Sequence, residues 1–156
     1  MNGLNALRQN SKLTGLSVFN IGEDGKLTYV ETIKENISSP SDITFGKNGE
    51  VFVVNRAKVG ETNGISVFTR DEATGKLTYS GFINDKVENG LVDVEVSADG
   101  SHLYVLDSQV NVLVFKRGDS GWSLVQNYQF PGANNGYAGG SLQLSPDGKS
   151  LYAGAY

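Results

Sequence analysis

A chain of 156 residues with 38% hydrophobic and 10% aromatic residues is long enough to bury a core and too apolar to be disordered. Its formal net charge is −4 and its 13 Lys and Arg form no run, so it lacks the cationic track that nucleic acids require, and we predict no nucleic-acid partner. The absence of cysteine excludes disulfides and thiolate metal sites.

Residues 1–14 carry the least readable pattern of the chain. They lack the basic start and the apolar run of a secretory signal, and no stretch of about 18 apolar residues follows. We predict that this segment is an N-terminal arm or a degenerate strand. We expect a soluble chain with no membrane insertion. The sequence assigns no cellular compartment, and an extracytoplasmic location would require that the chain was cut from a longer exported protein.

One sequence motif recurs from Gly15 onward. Gly15–Phe19 followed by Gly25–Tyr29 returns as Gly64–Phe68 followed by Gly75–Tyr79, and 111–115 is a fainter copy of its first half. Self-similarity at a spacing of about 50 residues is typical of stacked structural units. The sequence therefore predicts a repeat protein.

A second recurring phrase is a hairpin built on a glycine turn. Asp99-Gly100 returns as Asp147-Gly148 and, more loosely, as Asn48-Gly49, each followed by an apolar strand. Glycine supplies the positive φ that such a tight turn demands, and aspartate or asparagine bonds the turn's own backbone. We therefore assign these carboxylates to turn formation and not to catalysis.

The composition predicts an all-β protein of short strands, since 20 glycines and only 3 prolines separate β-branched and aromatic runs. We label the strands A to D from the innermost outward. In chain order the predicted strands are C 15–20, D 26–33, A 41–46, B 50–55, C 64–70, D 76–82, A 92–97, B 102–107, C 111–116, D 122–129, A 140–145 and B 149–155. They group into a half-blade at 15–36, blades at 41–84 and 91–130, and a half-blade at 140–156.

Four-stranded antiparallel units of this length are the blades of a β-propeller, which closes its ring with roughly 4 to 8 of them. Three blade equivalents cannot close a ring. The C-D half-blade at one end and the A-B half-blade at the other are complementary, so a head-to-tail homodimer would give six blades. The alternative is that the chain is a piece of a longer propeller.

The quoted phrases resemble one known family. Ser145–Tyr152 and Ile65–Thr78 are similar to the blade signature of the lactonase-type β-propellers, which include the propeller-class 6-phosphogluconolactonases. The resemblance implies lactone hydrolysis, with a histidine after a proline on an innermost strand and an arginine soon after an aspartate past a B strand. Here Ser41 follows Pro40, and no arginine follows Asp107 closely.

The candidate ligand-binding residues are those that the propeller topology places at the mouth of the central channel, where loops carry the variable groups of a rigid scaffold. They begin innermost strands, end B strands or form the loop before the last half-blade: Asp42, Asn55, Arg56, Asp93, Asp107, Asn134, Asn135 and Tyr137. For Asp42 and Asp93, the equally weighted alternative is that each carboxylate satisfies backbone amides.

No catalytic constellation can be assembled from the sequence, so we assign no catalytic residue, metal ligand or cofactor. The single histidine excludes sites that need two imidazoles, and no turn carries a calcium-loop series. The sequence favours a non-enzymatic module that binds a protein, glycan or small molecule at the channel mouth. A lactonase-type hydrolase and an architectural repeat of a larger surface protein are the alternatives.

Overall fold

The computed structural model describes residues 15–131 and 139–155, and every regular element within them is a β-strand. In chain order these strands are β1 Leu16–Ile21, β2 Leu27–Ile33, β3 Pro40–Phe45, β4 Glu50–Asn55, β5 Ile65–Arg70, β6 Leu77–Ile83, β7 Leu91–Val96, β8 His102–Asp107, β9 Asn111–Gly118, β10 Gly121–Gln129, β11 Gly140–Leu144 and β12 Leu151–Ala155. No helix in this part of the chain is long and apolar enough to cross a membrane.

The strands form the sheets that the repeat pattern predicted. Strands β3 to β6 make one four-stranded sheet in sequence order, β7 to β10 make another, and the pairs β1–β2 and β11–β12 make two-stranded sheets. All neighbours are antiparallel. The predicted series C-D, A-B-C-D, A-B-C-D, A-B is therefore confirmed, whereas the predicted arm at 1–14 and the terminal Tyr156 lie outside the described residues.

The hairpins between strands A and B form because of their turn residues. Gly100 has a φ of 74° and Gly49 a φ of 77°, the left-handed region that glycine adopts without strain. The Asp99 carboxylate accepts hydrogen bonds from the Ser101 hydroxyl at 2.6 Å, from the Ser97 hydroxyl at 2.7 Å and from the Ser101 amide at 3.0 Å. These bonds hold the pKa of the Asp99 carboxyl well below its usual range, so the predicted structural role of this aspartate is confirmed.

The main core lies between the two complete blades. Phe52 on β4 packs with Val94 on β7 and Phe115 on β9 in one buried cluster. The Trp122 ring meets Phe52 edge-on with centroids 5.5 Å apart, a favourable aromatic geometry. Blade-to-blade packing therefore buries the apolar face that each twisted sheet would otherwise expose.

Acidic side chains also bridge the outer strands of neighbouring blades. The Glu31 carboxylate on β2 accepts a hydrogen bond from the Leu77 amide of β6 at 2.9 Å. The Asp85 carboxylate, just after β6, accepts one from the Leu124 amide of β10, also at 2.9 Å. In each case the carboxylate of one blade bonds to the peptide N–H of the next, and charged acceptors make such bonds stronger than neutral ones.

Candidate functional site

A polar cleft opens at the end of the blades where strands B end and the next strands A begin. Its volume is about 390 Å³, which falls within the range of small-molecule sites. We call it the mouth cleft, and its described lining consists of Arg56, Glu88, Asn89, Gly90, Ser108, Gln109 and Gly139. Its lining comes from loops of both complete blades and from the residue before β11. No single blade therefore forms the cleft by itself.

Arg56 supplies a cation to the mouth cleft from the loop after β4. Its amide donates a hydrogen bond to the Ser39 carbonyl at 3.0 Å, and its carbonyl lies so close to Gly90 that a Cβ there would overlap it. The backbone of Arg56 is therefore fixed on both sides, while its side chain is exposed at the cleft. A guanidinium carried on fixed backbone can bind a carboxylate or phosphate through two parallel hydrogen bonds.

Glu88 supplies the carboxylate of the cleft lining. It lies on the loop between β6 and β7 with an exposed side chain, and its carbonyl accepts a hydrogen bond from the Asn63 side chain at 2.8 Å. That bond holds the backbone of the loop against the loop after β4. The mouth cleft thus presents a carboxylate and a guanidinium on anchored backbone.

Asp107 is buried beneath the cleft and organises it. One carboxylate oxygen accepts the Gln109 and Asn111 amides at 2.9 and 2.8 Å, and the other accepts the Asn89 and Asn111 side chains at 2.9 Å. Asp107 is only 2% exposed, and these bonds pair both of its carboxylate oxygens, as a buried charged group requires. The structure therefore places Asp107 as a positioning group for Asn89 and Gln109, and its contact with a ligand stays a prediction.

Asn55 holds the corresponding position in the preceding blade. Its side-chain oxygen accepts the Ser38 amide at 2.8 Å, and its side-chain nitrogen donates to the Gly64 carbonyl at 3.1 Å and the Ser66 hydroxyl at 2.9 Å. The residue is fully buried. Like Asp107, it fixes the loops around Arg56 from below, and ligand contact by Asn55 stays a prediction as well.

Asp42 and Asp93 lie on the innermost strands and are not among the residues that line the mouth cleft. The Asp42 carboxylate accepts the Val94 amide of the next blade at 3.0 Å, and the Asp93 carboxylate accepts the Leu142 amide of the following half-blade at 2.9 Å. β7 is an edge strand of its sheet, so the Val94 bond satisfies an amide that the sheet leaves unpaired. This is the backbone-satisfying role weighed for both aspartates.

The innermost strands gather acidic groups at this junction. Burial raises the pKa of the Asp93 carboxyl to about 6, and the Asp42 carboxylate beside it acts in the same direction. Burial also raises the pKa of Glu95, again with a smaller contribution from Asp42. Above about pH 6 the Asp93 carboxyl is mostly ionised in a partly buried position, which costs folding free energy.

Stability is therefore expected to rise as the pH falls from 7 to 5. The folded pKa of Asp93 exceeds its usual value, so the folded state binds more protons across this window, and the contribution is lost as the pH rises through about 6. Asp93→Asn should remove up to about 1 kcal/mol of this gain, a figure reduced for solvent screening. Urea unfolding at pH 7 and pH 5 measures it, with Asp119→Asn in an exposed turn as the control. An unchanged pH dependence in Asp93→Asn would contradict the assignment.

The structure brings together some of the predicted site residues and separates others. Arg56 lines the mouth cleft, and Asn55 and Asp107 lie buried beside it. Asp42 and Asp93 each bond to a backbone amide of the next sheet. Three further predicted residues fall outside the described part of the chain: Asn134, Asn135 and Tyr137.

The sequence analysis missed four polar residues of the mouth cleft, namely Glu88, Asn89, Ser108 and Gln109. A usable signal existed, because they occupy the D-to-A and B-to-C connections that the propeller topology assigns to the channel mouth. The chain's single histidine, His102, begins β8 at the opposite end of the blade, where its Nδ1 lies 2.7 Å from the Ser101 hydroxyl. Among the described residues, no group of three or more acidic or histidine side chains could hold a metal ion.

Comparison with known proteins identifies the family. A family model described as Lactonase, 7-bladed beta-propeller, matches residues 8–88, which is just over half of the chain. This match covers the first half-blade and the first complete blade. Among proteins of curated function, none matches this chain by sequence.

Solved structures support the same fold. A protein from Lactobacillus plantarum superposes with a TM-score of 0.72 at 17% identity, covering 89% of this chain and 43% of its own. Candidate 6-phosphogluconolactonases from Bacteroides uniformis and Bacteroides fragilis each give a TM-score of 0.69 at 20% identity. They cover 88% and 92% of this chain, and 43% and 41% of their own.

The chain thus spans about two fifths of the length of each of these structures, close to the share that three blades make of a seven-bladed ring. At such low identity these neighbours support the architecture alone. The family model supplies the classification, and the four-stranded sheets agree with it. This chain belongs to the lactonase family of seven-bladed β-propellers.

Proposed function

We propose that the ring containing these blades hydrolyses a small anionic lactone in the mouth cleft. The observation that carries the proposal is that Arg56 and Glu88, a cation and a carboxylate on anchored loops, line one cleft of about 390 Å³. A phosphorylated sugar lactone has a volume and a charge that suit this site. Membership of the lactonase family supports the same reaction class.

The two charged side chains have separate roles in the proposed reaction. The Arg56 guanidinium binds the anionic group of the substrate and fixes the ring in the cleft. The Glu88 carboxylate takes a proton from water, whose oxygen attacks the lactone carbonyl carbon. The tetrahedral intermediate then breaks its ring C–O bond, and the leaving oxygen takes the proton back from Glu88, which gives the open hydroxy acid.

The test is hydrolysis of 6-phosphoglucono-δ-lactone above its spontaneous rate, measured on the protein in its native assembly. Glu88→Gln should lower kcat by about 10²- to 10⁴-fold, the usual contribution of a positioned base. Arg56→Ala should mainly raise KM for the phosphorylated lactone and have less effect on glucono-δ-lactone, which lacks the phosphate. Glu72→Gln, in an exposed hairpin at the other end of the blade, is the matched control.

A non-enzymatic binding module is the second candidate, and the position of His102 favours it. The only imidazole of the chain lies at the opposite end of the blade, so it is not a general base for the cleft. A binding module would give saturable binding of 6-phosphogluconate that Arg56→Ala abolishes, with no turnover of the lactone. Equal hydrolysis by the unsubstituted protein and Glu88→Gln would contradict the proposed base.

A further inference from the structure

The two half-blades leave opposite strand edges uncovered. In the complete blades each B strand pairs with a C strand, so that Val51 lies opposite Phe68 and Leu103 lies opposite Phe115. In the sheets described, β1 is a C strand without a B strand, and β12 is a B strand without a C strand. Such edges expose unpaired backbone groups and act as templates for another strand.

The side chains of β1 are arranged as in a complete blade but lack its cover. Phe19 corresponds to Phe68, and each meets a tyrosine of the next strand edge-on, with centroids 5.9 and 5.7 Å apart. Phe19 is nevertheless 42% exposed, whereas Phe68 is 2% exposed. Phe68 is buried in one cluster with Val51 and Val53 of its B strand and with Leu16 and Ile33 of the preceding half-blade. The described strands supply neither kind of cover to Phe19.

Strand β12 shows the complementary deficit. Tyr152 is 64% exposed, although Phe52 at the same position of the first complete blade is fully buried. The Ser145 amide donates to the Ser150 carbonyl at 2.8 Å, so the backbone groups of residue 150 face β11. Backbone groups alternate along a strand, so the Ala153 N–H faces the open edge.

A groove marks where the missing B strand would lie beside β1. It has a volume of about 280 Å³ and runs between β1 and β3, with Phe19, Ile43 and Phe45 among its lining residues. In the complete blade the same place is occupied by β4, whose Phe52 packs on Val94, the residue that corresponds to Ile43. The groove therefore has the apolar lining and the position that a B strand requires.

We propose that β11 and β12 of a second copy of this chain fill the groove, with Leu151 opposite Phe19 and Ala153 opposite Ser17. Each copy carries one edge of each kind, so two copies form two identical junctions and close a ring. The ring has six blades, within the range of known propellers and one fewer than the family's description gives. The strand register follows from the B–C pairing of both complete blades.

The mass of the 156-residue chain in solution tests the proposal directly. One copy has a mass of 16.7 kDa, so sedimentation equilibrium should give a single species of about twice that value. A ring closes its own edges, so the mass should not grow further with concentration. One-chain mass at all concentrations, or an open series of larger species, would overturn the proposal.

Two substitutions on the same strand distinguish specific strand pairing from nonspecific association through exposed apolar side chains. Phe19→Asp should weaken association by at least about 100-fold, because the junction would bury a carboxylate where a phenyl ring belongs. Ile21→Asp should leave it within about twofold, because the corresponding Arg70 stays exposed in the complete blade. Ile21 is 75% exposed, so equal effects of the two variants would overturn the pairing.

A backbone variant tests the junction without adding charge. Ala153→Pro removes the N–H that faces the open edge and keeps the bonds to β11, so it should yield one-chain mass with unchanged β-sheet circular dichroism. Ala153→Val restores the residue found at the same position of both complete blades, at Val53 and Val105, and should keep the two-chain mass. Two-chain mass in Ala153→Pro would overturn the proposed strand pairing.

Discussion

Replacing Phe52 with alanine is expected to lower the free energy of unfolding by about 3 to 5 kcal/mol. The ring is fully buried and joins β4 to β7 and β9 in the main cluster, with Trp122 packed edge-on against it. Truncation removes the transfer free energy of the ring and leaves a cavity between two blades that cannot easily collapse. The packing between the two complete blades is therefore the part of the fold that the substitution weakens.

Trp122 is the only tryptophan of the chain, so its fluorescence reports on the packing between the two complete blades during urea unfolding. Measurements at one fixed protein concentration keep any association constant between variants. Phe130→Ala removes the same atoms from a residue just after β10 that is 37% exposed, and it should cost less than about 1 kcal/mol. Similar losses in both variants would contradict the central role of the inter-blade cluster.

Gly90→Ala is expected to destabilise the protein by about 1 to 3 kcal/mol and to impair the mouth cleft. A Cβ at this position would overlap the Arg56 carbonyl, so the two loops that meet there must move apart. The Gly90 carbonyl also accepts the Ser108 amide at 2.8 Å, and the shift would loosen that bond. A 1 Å misplacement of positioning groups is enough to lower a rate about 100-fold.

Gly81→Ala on β6 is the matched control, because a Cβ there meets nothing within 4 Å. We expect it to be neutral or slightly stabilising, since alanine reduces the freedom of the unfolded chain. Thermal unfolding and lactone hydrolysis or ligand binding should be measured on both variants. An unchanged midpoint in Gly90→Ala would show that the close approach of the two loops can relax without cost.

The fold was predictable because its signals are local. Glycine turns such as Gly100 and the alternating apolar runs recur at nearly fixed spacing, and each repeat confirms the others. For Asp42 the sequence offered two interpretations, an acceptor for backbone amides and a ligand contact. The partner of Asp42, the Val94 amide of the next blade at 3.0 Å, is known only from the structure.

The site was less predictable because its groups come from distant segments. Arg56 follows β4, Glu88 precedes β7 and Gln109 follows β8, and no local pattern marks these residues as neighbours in one cleft. Asp107 was chosen for its position at the end of a B strand, whereas its burial depends on the loops folded over it. Glu88 lies on an exposed connection, where sequence alone does not distinguish a cleft residue from a solvated one.

The bonds from Asp42, Asp93, Glu31 and Asp85 to the next blade all end on main-chain amides. A peptide N–H is supplied by every amino acid except proline, so the receiving position places almost no demand on residue type. Gene duplication or recombination can therefore add, delete or exchange such modules without matched changes in their neighbours. Related rings with different numbers of modules could evolve through this tolerance while their internal surfaces diverge in sequence.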